Sequence, residues 1–227
     1  MHKPLALDLS RTALLCIDLQ EEHRRDSRYL VEGFGQVLAN VARLQQAARD
    51  AGVPVLHSAY IVDSAGDAMR PLHPVMADGR SAFSNAGDPW TALCSEVAPL
   101  DGEDLRIKAN ASTFSRTDFA PFLRERGIEW LIVVGVWTEA CVAASVKDAV
   151  DLGLRVALVK DACGSGSAAI HETAILNLAN RLYGGAVIDT RQALNLLAGG
   201  EVAAWQIEGS VPLRYTFENA SQTYNSL

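Results

Sequence analysis

The chain has 227 residues, of which 49% are hydrophobic and 21% charged, so it can bury one sizeable core and is not a disordered chain. Its net charge of −7 offers no basic surface to nucleic acid. No segment approaches the roughly 18 uncharged apolar residues of a membrane span, and Asp8 and Arg11 interrupt the apolar start that a signal peptide would need. We therefore expect a cytoplasmic protein without nucleic-acid or membrane partners.

Short β-branched segments alternate with longer segments of helical periodicity. The predicted strands are residues 12–18, 53–60, 105–108, 128–136, 154–160 and 186–189, and the predicted helices are 31–51, 116–126, 138–152, 168–182 and 190–198. This alternation predicts an α/β fold over residues 1–200, a single three-layer domain with a doubly wound, mostly parallel, six-stranded sheet and helices on both faces. About thirty residues rich in Gly, Pro, Asp and Ser follow the second strand, and so long a connection is typical of a lid or pocket wall.

Residues 201–227 lack helical periodicity but contain four aromatic side chains, Trp205, Tyr215, Phe217 and Tyr224. One interpretation is an arm that lies on a neighbouring subunit, and a partly ordered terminus is an equally good one. The first interpretation predicts a homo-oligomer, either a dimer or a tetramer.

The four cysteines form no CxxC pair, which favours free thiols, each either a small core residue or a reactive group. Cys141 follows a predicted buried strand at the start of a helix, and Thr138 is in position to cap that helix. Helix N–H groups stabilise a thiolate, lower the pKa of the thiol and can bind an oxyanion. Taken alone, a cysteine on a helix rich in Ala and Val is more often a core residue.

Asp18 and Lys108 stand at the ends of two other predicted strands. Taken singly, Asp18 is a turn residue and Lys108 a solvated lysine. Sites in parallel sheets form where the carboxyl ends of strands meet, so the three residues can converge. A carboxylate can then take the thiol proton while an ammonium keeps the carboxylate ionised. A Cys–His pair is not predicted, because His23, His57, His73 and His171 lie in segments typical of surface or structural positions.

Four segments together resemble the isochorismatase-like hydrolase superfamily, in its cysteine amidohydrolase branch: LLCIDLQ, KANASTF, VVGVWTEACV with SVKDAVDLG, and VALVKDACGSGS. The resemblance implies a catalytic triad of Cys141, Asp18 and Lys108 and a cis peptide bond between Val136 and Trp137. It also implies an oxyanion hole formed by the main-chain N–H groups of Trp137 and Cys141.

Two departures from the family refine this expectation. The nicotinamidases of the family carry metal-binding residues in an Asp-x-His…His pattern after the second strand, and this chain lacks that pattern. We therefore expect no metal and no cofactor. For the same reason we disfavour nicotinamide as the substrate. Members that hydrolyse the vinyl ether of isochorismate lack the cysteine, which this chain has at position 141.

Four residues are candidate contacts for the substrate: Gln20, Glu22, Phe114 and Trp137. Trp137 would narrow the pocket or stack on a planar amide, or else pack in the core. Gln20 and Glu22 would bind a ureido or guanidino group, although solvated loop residues are the commoner case. A pocket that also contained Asp63 or Asp67 would favour a cationic substrate.

The predicted function is hydrolysis of a C–N bond in a small linear amide, with ureido compounds favoured, through an acyl group on Cys141 and release of ammonia or an amine. The only partner this requires is the small-molecule substrate. The alternatives are vinyl ether hydrolysis of the isochorismatase type and a non-catalytic binding or scaffold protein with the same fold.

Overall fold

A computed structural model describes residues 1–64, 71–209 and 211–227 of the chain. In this part of the chain a single sheet of eight strands runs through the middle of the fold. The strands are β1 (His2–Leu5), β2 (Thr12–Ile17), β3 (Val55–Tyr60), β4 (Asp104–Lys108), β5 (Trp130–Val136), β6 (Arg155–Gly164), β7 (Ala186–Ile188) and β8 (Val202–Trp205).

The strands from β2 to β7 pair in parallel, in the order β7-β6-β5-β2-β3-β4, and these are the six strands that the sequence predicts. The predicted α/β architecture is confirmed. The sheet has two more strands than predicted, because β1 and β8 pair antiparallel with each other and extend it beyond β7. Only Leu5 of β1 is buried, and β8 has only four residues, so neither shows the long apolar segment that identifies the other strands.

Helices cover both faces of the sheet. They are α1 (Glu22–Arg25), α2 (Phe34–Asp50), α3 (Phe119–Glu125), α4 (Ala143–Asp151), α5 (Ala168–Ala179), α6 (Thr190–Leu197) and α7 (Ala220–Asn225). Side chains alternate along β2, so Leu14 and Cys16 pack in the core under α2 and α6, whereas Leu15 and Ile17 pack under α3, α4 and α5. None of the helices in the described residues combines the length and apolar character that crossing a membrane requires.

The strand order reverses between β2 and β5, and a crevice opens there at the carboxyl ends of the strands. Ile17 at the end of β2 is level with Ser58 on one side and with Gly135 on the other. Gly135 has a φ of 127°, and a Cβ there would lie 2.2 Å from the carbonyl oxygen of Ile17. A glycine is therefore required for the two strands to approach each other beside the site.

The segment beyond residue 200 packs on the domain itself. Trp205 ends β8 and is buried, and α7 packs against α5 through the rings of Tyr224 and His171, whose centroids are 5.6 Å apart. The predicted boundary at residue 200 therefore falls two residues before the start of β8, a strand of the sheet. Contact of residues 201–227 with a neighbouring subunit stays a prediction, for which Phe217, fully exposed in this chain, offers a surface.

Candidate active site

The carboxyl ends of three strands bring Asp18, Lys108 and Cys141 together. Lys108 Nζ lies 2.6 Å from Asp18 Oδ2, and both side chains are buried. The Cys141 thiol lies within hydrogen-bonding reach of both groups, and the residue is partly open to the cavity described below. The three residues that the sequence predicts as a triad are therefore adjacent, although they come from segments about 90 and 30 residues apart.

The Asp18 carboxylate is held from two sides. Ser58, two residues before the end of β3, donates its hydroxyl to Oδ1 at 3.0 Å, and Lys108 binds Oδ2. Asp18 has a φ of 53°, a left-handed conformation that is uncommon for a residue other than glycine and marks many functional sites. Lys108 is fixed in turn by the carbonyl oxygen of Asn110 at 3.2 Å and lies 5.0 Å from the centre of the Tyr60 ring.

The ionisation of the pair and of the thiol is set by burial and by neighbouring charge. Burial opposes the charge on Lys108, but the Asp18 carboxylate outweighs burial and raises the pKa of the ammonium. Burial also raises the pKa of the Cys141 thiol, and the charge of Asp18 raises it further against the opposing effect of Lys108. This is opposite to the lowering expected from a helix N-terminus. The resting thiol is protonated, and Asp18 is in position to accept its proton.

The chain around Cys141 differs from the regular capped helix that the sequence suggests. Residues Thr138–Val142 form a single π-helical turn that leads into α4. Thr138 does not cap this turn, because its hydroxyl donates instead to the carbonyl oxygen of Gly164 at 2.9 Å. The π turn spreads the backbone at the point where Cys141 faces the cavity, a use of such turns that is common at functional sites.

The peptide bond between Val136 and Trp137 is cis, which confirms the bond implied by the resemblance. Among the described residues, none accepts a hydrogen bond from the main-chain N–H of Trp137. An unpaired N–H next to the thiol is available to a ligand, as an oxyanion hole requires.

A cavity of about 250 Å³ opens above the thiol. Its walls come from the ends of β2 and β5, from α1 and from the long connection between β3 and β4, which supplies Phe83 and Ser84. The lining residues are Asp18, Glu22, His23, Tyr29, Tyr60, Phe83, Ser84, Ala111, Val136, Trp137, Ala140 and Cys141. The prediction that the long connection forms a pocket wall agrees with this arrangement.

Two of the four predicted substrate contacts line the cavity and two do not. Glu22 and Trp137 are on its walls. Gln20 is fully buried and is not a lining residue, because its amide group bonds the main chain of Tyr60 and the carbonyl oxygen of Thr91. Phe114 packs against Phe119 at 5.0 Å between ring centroids, in the core under α3, and is also outside the cavity.

The two other acids considered for a cationic substrate are not cavity residues in the described structure. Asp63 is exposed and lines a separate, open depression on the long connection. Asp67 lies outside the described residues.

His23 is a pocket residue, whereas its sequence context predicts a surface or structural position. It is 7% exposed, lines the cavity and accepts a hydrogen bond at Nδ1 from the Trp137 indole N–H at 3.1 Å. The same His23 nitrogen also lies 3.4 Å from the carbonyl oxygen of Tyr29, so Nδ1 of His23 faces one donor and one acceptor. Burial lowers the pKa of His23 to about 4, which leaves the ring neutral at neutral pH. In the sequence, only its position five residues after Asp18 indicates that His23 belongs to the pocket.

The ligand atoms of Glu21, Cys94 and Glu96 lie within 4.8 Å of one another, close enough for a metal ion. Arg24 already occupies this position with its guanidinium group, which forms hydrogen bonds with both carboxylates. The group is outside the cavity, and the predicted absence of a metal stays a prediction.

Residues 12–192 match the isochorismatase domain family. The chain belongs to this family. Among curated relatives, the maleamate amidohydrolase of Pseudomonas putida is 30% identical over 200 residues, covering 83% of this chain and 89% of the relative. A ureidoacrylate amidohydrolase of Methylobacterium radiotolerans is 28% identical and covers 78% and 76%.

Among solved structures, an isochorismatase family protein of Desulfovibrio vulgaris superposes with a TM-score of 0.74 at 27% identity, over 83% of this chain and 98% of that one. The chain is therefore an isochorismatase-family hydrolase, and the predicted hydrolase class is confirmed at the level of the family.

Proposed function

We propose that the protein is a metal-independent cysteine hydrolase that cleaves the C–N bond of a small linear amide, with ureido compounds as the favoured substrates. The observation that carries this proposal is the position of the Cys141 thiol, at the cavity and within reach of an Asp18 carboxylate that Lys108 holds. A thiol, a base and a positioned cation are the groups that nucleophilic amide hydrolysis requires.

In the first step, Cys141 sulfur attacks the carbonyl carbon of the amide while Asp18 takes the thiol proton. The carbonyl oxygen becomes an oxyanion, for which the main-chain N–H groups of Trp137 and Cys141 are the proposed donors. The C–N bond then breaks, the departing nitrogen takes the proton from Asp18, and the acyl group remains on sulfur.

In the second step, a water molecule gives a proton to Asp18 and attacks the acyl carbon. The C–S bond breaks, the proton returns to the sulfur of Cys141, and the acid or carbamate is released. Lys108 stays charged throughout and orients Asp18, because its ammonium is bound to Asp18 Oδ2 and to a main-chain carbonyl. The high pKa of the resting thiol makes the proton transfer to Asp18 a necessary part of the attack.

The size of the cavity and the names of the relatives support a small amide. A cavity of about 250 Å³ is smaller than the range of roughly 300–1,000 Å³ that holds drug-sized ligands. Two curated relatives are named as amidohydrolases of maleamate and of ureidoacrylate. The expected cytoplasmic location and homo-oligomeric state belong to the same proposal, and sedimentation velocity would measure the oligomeric state.

The test is ammonia release by the purified protein from a panel of ureides, linear amides and guanylureas, run beside the Cys141→Ala variant. We expect ammonia from at least one compound with the natural protein and none above background with the variant. Release of pyruvate from isochorismate, with no ammonia from any amide, would overturn the proposal.

A further inference from the structure

A second carboxylate, that of Glu22, lies on the wall of the cavity that contains Cys141. Glu22 is 6% exposed and is contacted by one residue of the long connection, Ser84. The Ser84 main-chain N–H donates to Oε2 at 3.1 Å, and the Ser84 hydroxyl donates to Oε1. Ser84 has a φ of 53°, a left-handed conformation that presents both donors to the same carboxylate.

Both oxygens of Glu22 accept a hydrogen bond, but neither donor carries a charge. A carboxylate has about four acceptor positions, and the two donors of Ser84 satisfy only part of them. Across the described ranges, no Lys, Arg or His forms an ion pair with Glu22. A buried carboxylate without a cation is costly, and burial accordingly raises the pKa of Glu22, with the nearby charges of Asp26 and Asp18 adding to the effect. A ligand that supplied a positive charge on this cavity wall would stabilise the ionised form of Glu22.

The other cavity walls also suit a cation. Tyr29, Tyr60, Phe83 and Trp137 line the cavity, and the negative faces of aromatic rings attract positive charge. The Arg28 guanidinium already lies near the Tyr29 ring and the Lys108 ammonium near the Tyr60 ring, which leaves Phe83 and Trp137 for a substrate cation. Within the described residues, no Lys or Arg is among the lining residues, and the charge of Lys108 is taken by Asp18. His23 is neutral and the charges of Asp18 and Lys108 balance each other, so an ionised Glu22 gives the lining of the cavity one net negative charge.

We propose that Glu22 determines specificity, and that the substrate is a small amide whose non-reacting end carries a positive charge, as an ammonium or amidinium group. This inference rests on the proposed function and adds the chemical class of the substrate. Maleamate and ureidoacrylate, which give two relatives their names, each carry a carboxylate, and such a group would be repelled by Glu22. The chain thus differs from those relatives in the charge of its substrate.

Three primary amides of similar shape test the charge preference: β-alaninamide, which is cationic, butyramide, which is neutral, and succinamate, which is anionic. We expect kcat/KM to be highest for β-alaninamide. The Glu22→Gln substitution keeps the shape and removes the charge, and it should lower kcat/KM for β-alaninamide by about tenfold or more. The same variant should lower the ratio of kcat/KM for β-alaninamide to that for butyramide by about tenfold and should improve kcat/KM for succinamate.

Asp63→Asn is the matched control, because it removes the same charge from an exposed acid outside the cavity. It should leave the order of the three amides unchanged. A natural protein that hydrolyses succinamate or butyramide at least as well as β-alaninamide would overturn the inference and leave the proposed function intact.

Binding measurements test the charge preference separately from the proposed amide hydrolysis. Ligand-observed NMR on Cys141→Ala should show tighter binding of β-alaninamide than of succinamate, and adding Glu22→Gln should remove the difference. If no amide is hydrolysed, the proposed function fails and this comparison still decides the inference. Equal binding of the three amides, or tighter binding of succinamate, would overturn it.

Discussion

Two regions of the central sheet, one at the carboxyl ends of the strands and one on the face under α2, contain nearly the same set of residue types. At the carboxyl ends, Cys141 lies beside Asp18 and Lys108. In the core under α2, Cys16 lies near Glu103 and Arg49, and His57 also contacts this carboxylate, at 3.0 Å between Nε2 and Oε2. A thiol, a carboxylate and a cation therefore occur together twice, and the second region even contains a histidine.

The two regions differ in whether the carboxylate and the thiol are enclosed by protein or open to a cavity. Arg49 donates to both oxygens of Glu103, at 2.8 and 3.0 Å, and the main-chain N–H of Leu100 adds a third donor at 2.9 Å. Cys16 is 2% exposed, and burial raises the pKa of its thiol to about 12. Asp18 and Cys141 instead face a cavity. A thiol, a carboxylate and a cation therefore indicate an active site only where a cavity beside them can hold a substrate.

Removal of each thiol gives the largest expected contrast between the regions. Cys141→Ala should lower kcat at least about 10³-fold, because no other group in the cavity replaces the nucleophile. Cys16→Ala should leave kcat/KM within about twofold and lower the free energy of unfolding by about 1 kcal/mol, because it only creates a small void. Ammonia release and urea unfolding of both variants measure these effects, and similar activity losses in the two would remove the distinction between the regions.

Removal of each carboxylate charge is the next contrast. Asp18→Asn should reduce kcat by about 10³-fold, since an amide cannot accept the thiol proton. Glu103→Gln should leave kcat within about threefold and destabilise the fold by about 2 kcal/mol through its lost charge-assisted hydrogen bonds. Steady-state kinetics and urea unfolding report the two quantities separately. An active Asp18→Asn enzyme would show that another group is the base.

Acid stability is a smaller effect that reports on the structural region alone. Partial burial opposes ionisation of Glu103, but bonds from Arg49, Leu100 and His57 outweigh it and lower the carboxyl pKa to about 2. The folded-state pKa lies below the unfolded one, so Glu103 stabilises the fold above about pH 4.5, and this contribution is lost as the pH falls towards 2.

Between pH 5 and pH 3, urea unfolding of Glu103→Gln should therefore lose about 1–2 kcal/mol less stability than the natural protein loses. Equal pH dependence in the two proteins would contradict the assigned role of Glu103.

The six parallel strands and the three residues that follow strand ends could be predicted from the sequence. Long apolar segments and the positions directly after them are local features of the chain. The antiparallel strands β1 and β8 were missed, since four-residue segments carry too little periodicity. Gln20 was placed in the pocket because its type and position fit, but the direction of its side chain depends on main-chain groups of Tyr60 and Thr91 that lie 40 and 71 residues away.

The pocket walls were the least predictable part of the site. Phe83 and Ser84 come from the long connection, and nothing in their neighbouring sequence indicates that this part of the connection lies over Cys141. The direction of the pKa shift of Cys141 was also missed, because it depends on burial and on the charge of Asp18 more than on the local helix start.

The most direct measurement of the central claim is the identity of the residue that carries the acyl group. The protein is mixed with a hydrolysed amide, quenched in acid within the first turnover, and analysed by intact mass and peptide mapping. We predict an adduct of the mass of the acyl group on the peptide containing Cys141 and none on those containing Cys16, Cys94 or Cys163. Turnover without any such adduct, together with full activity in Cys141→Ala, would contradict the account.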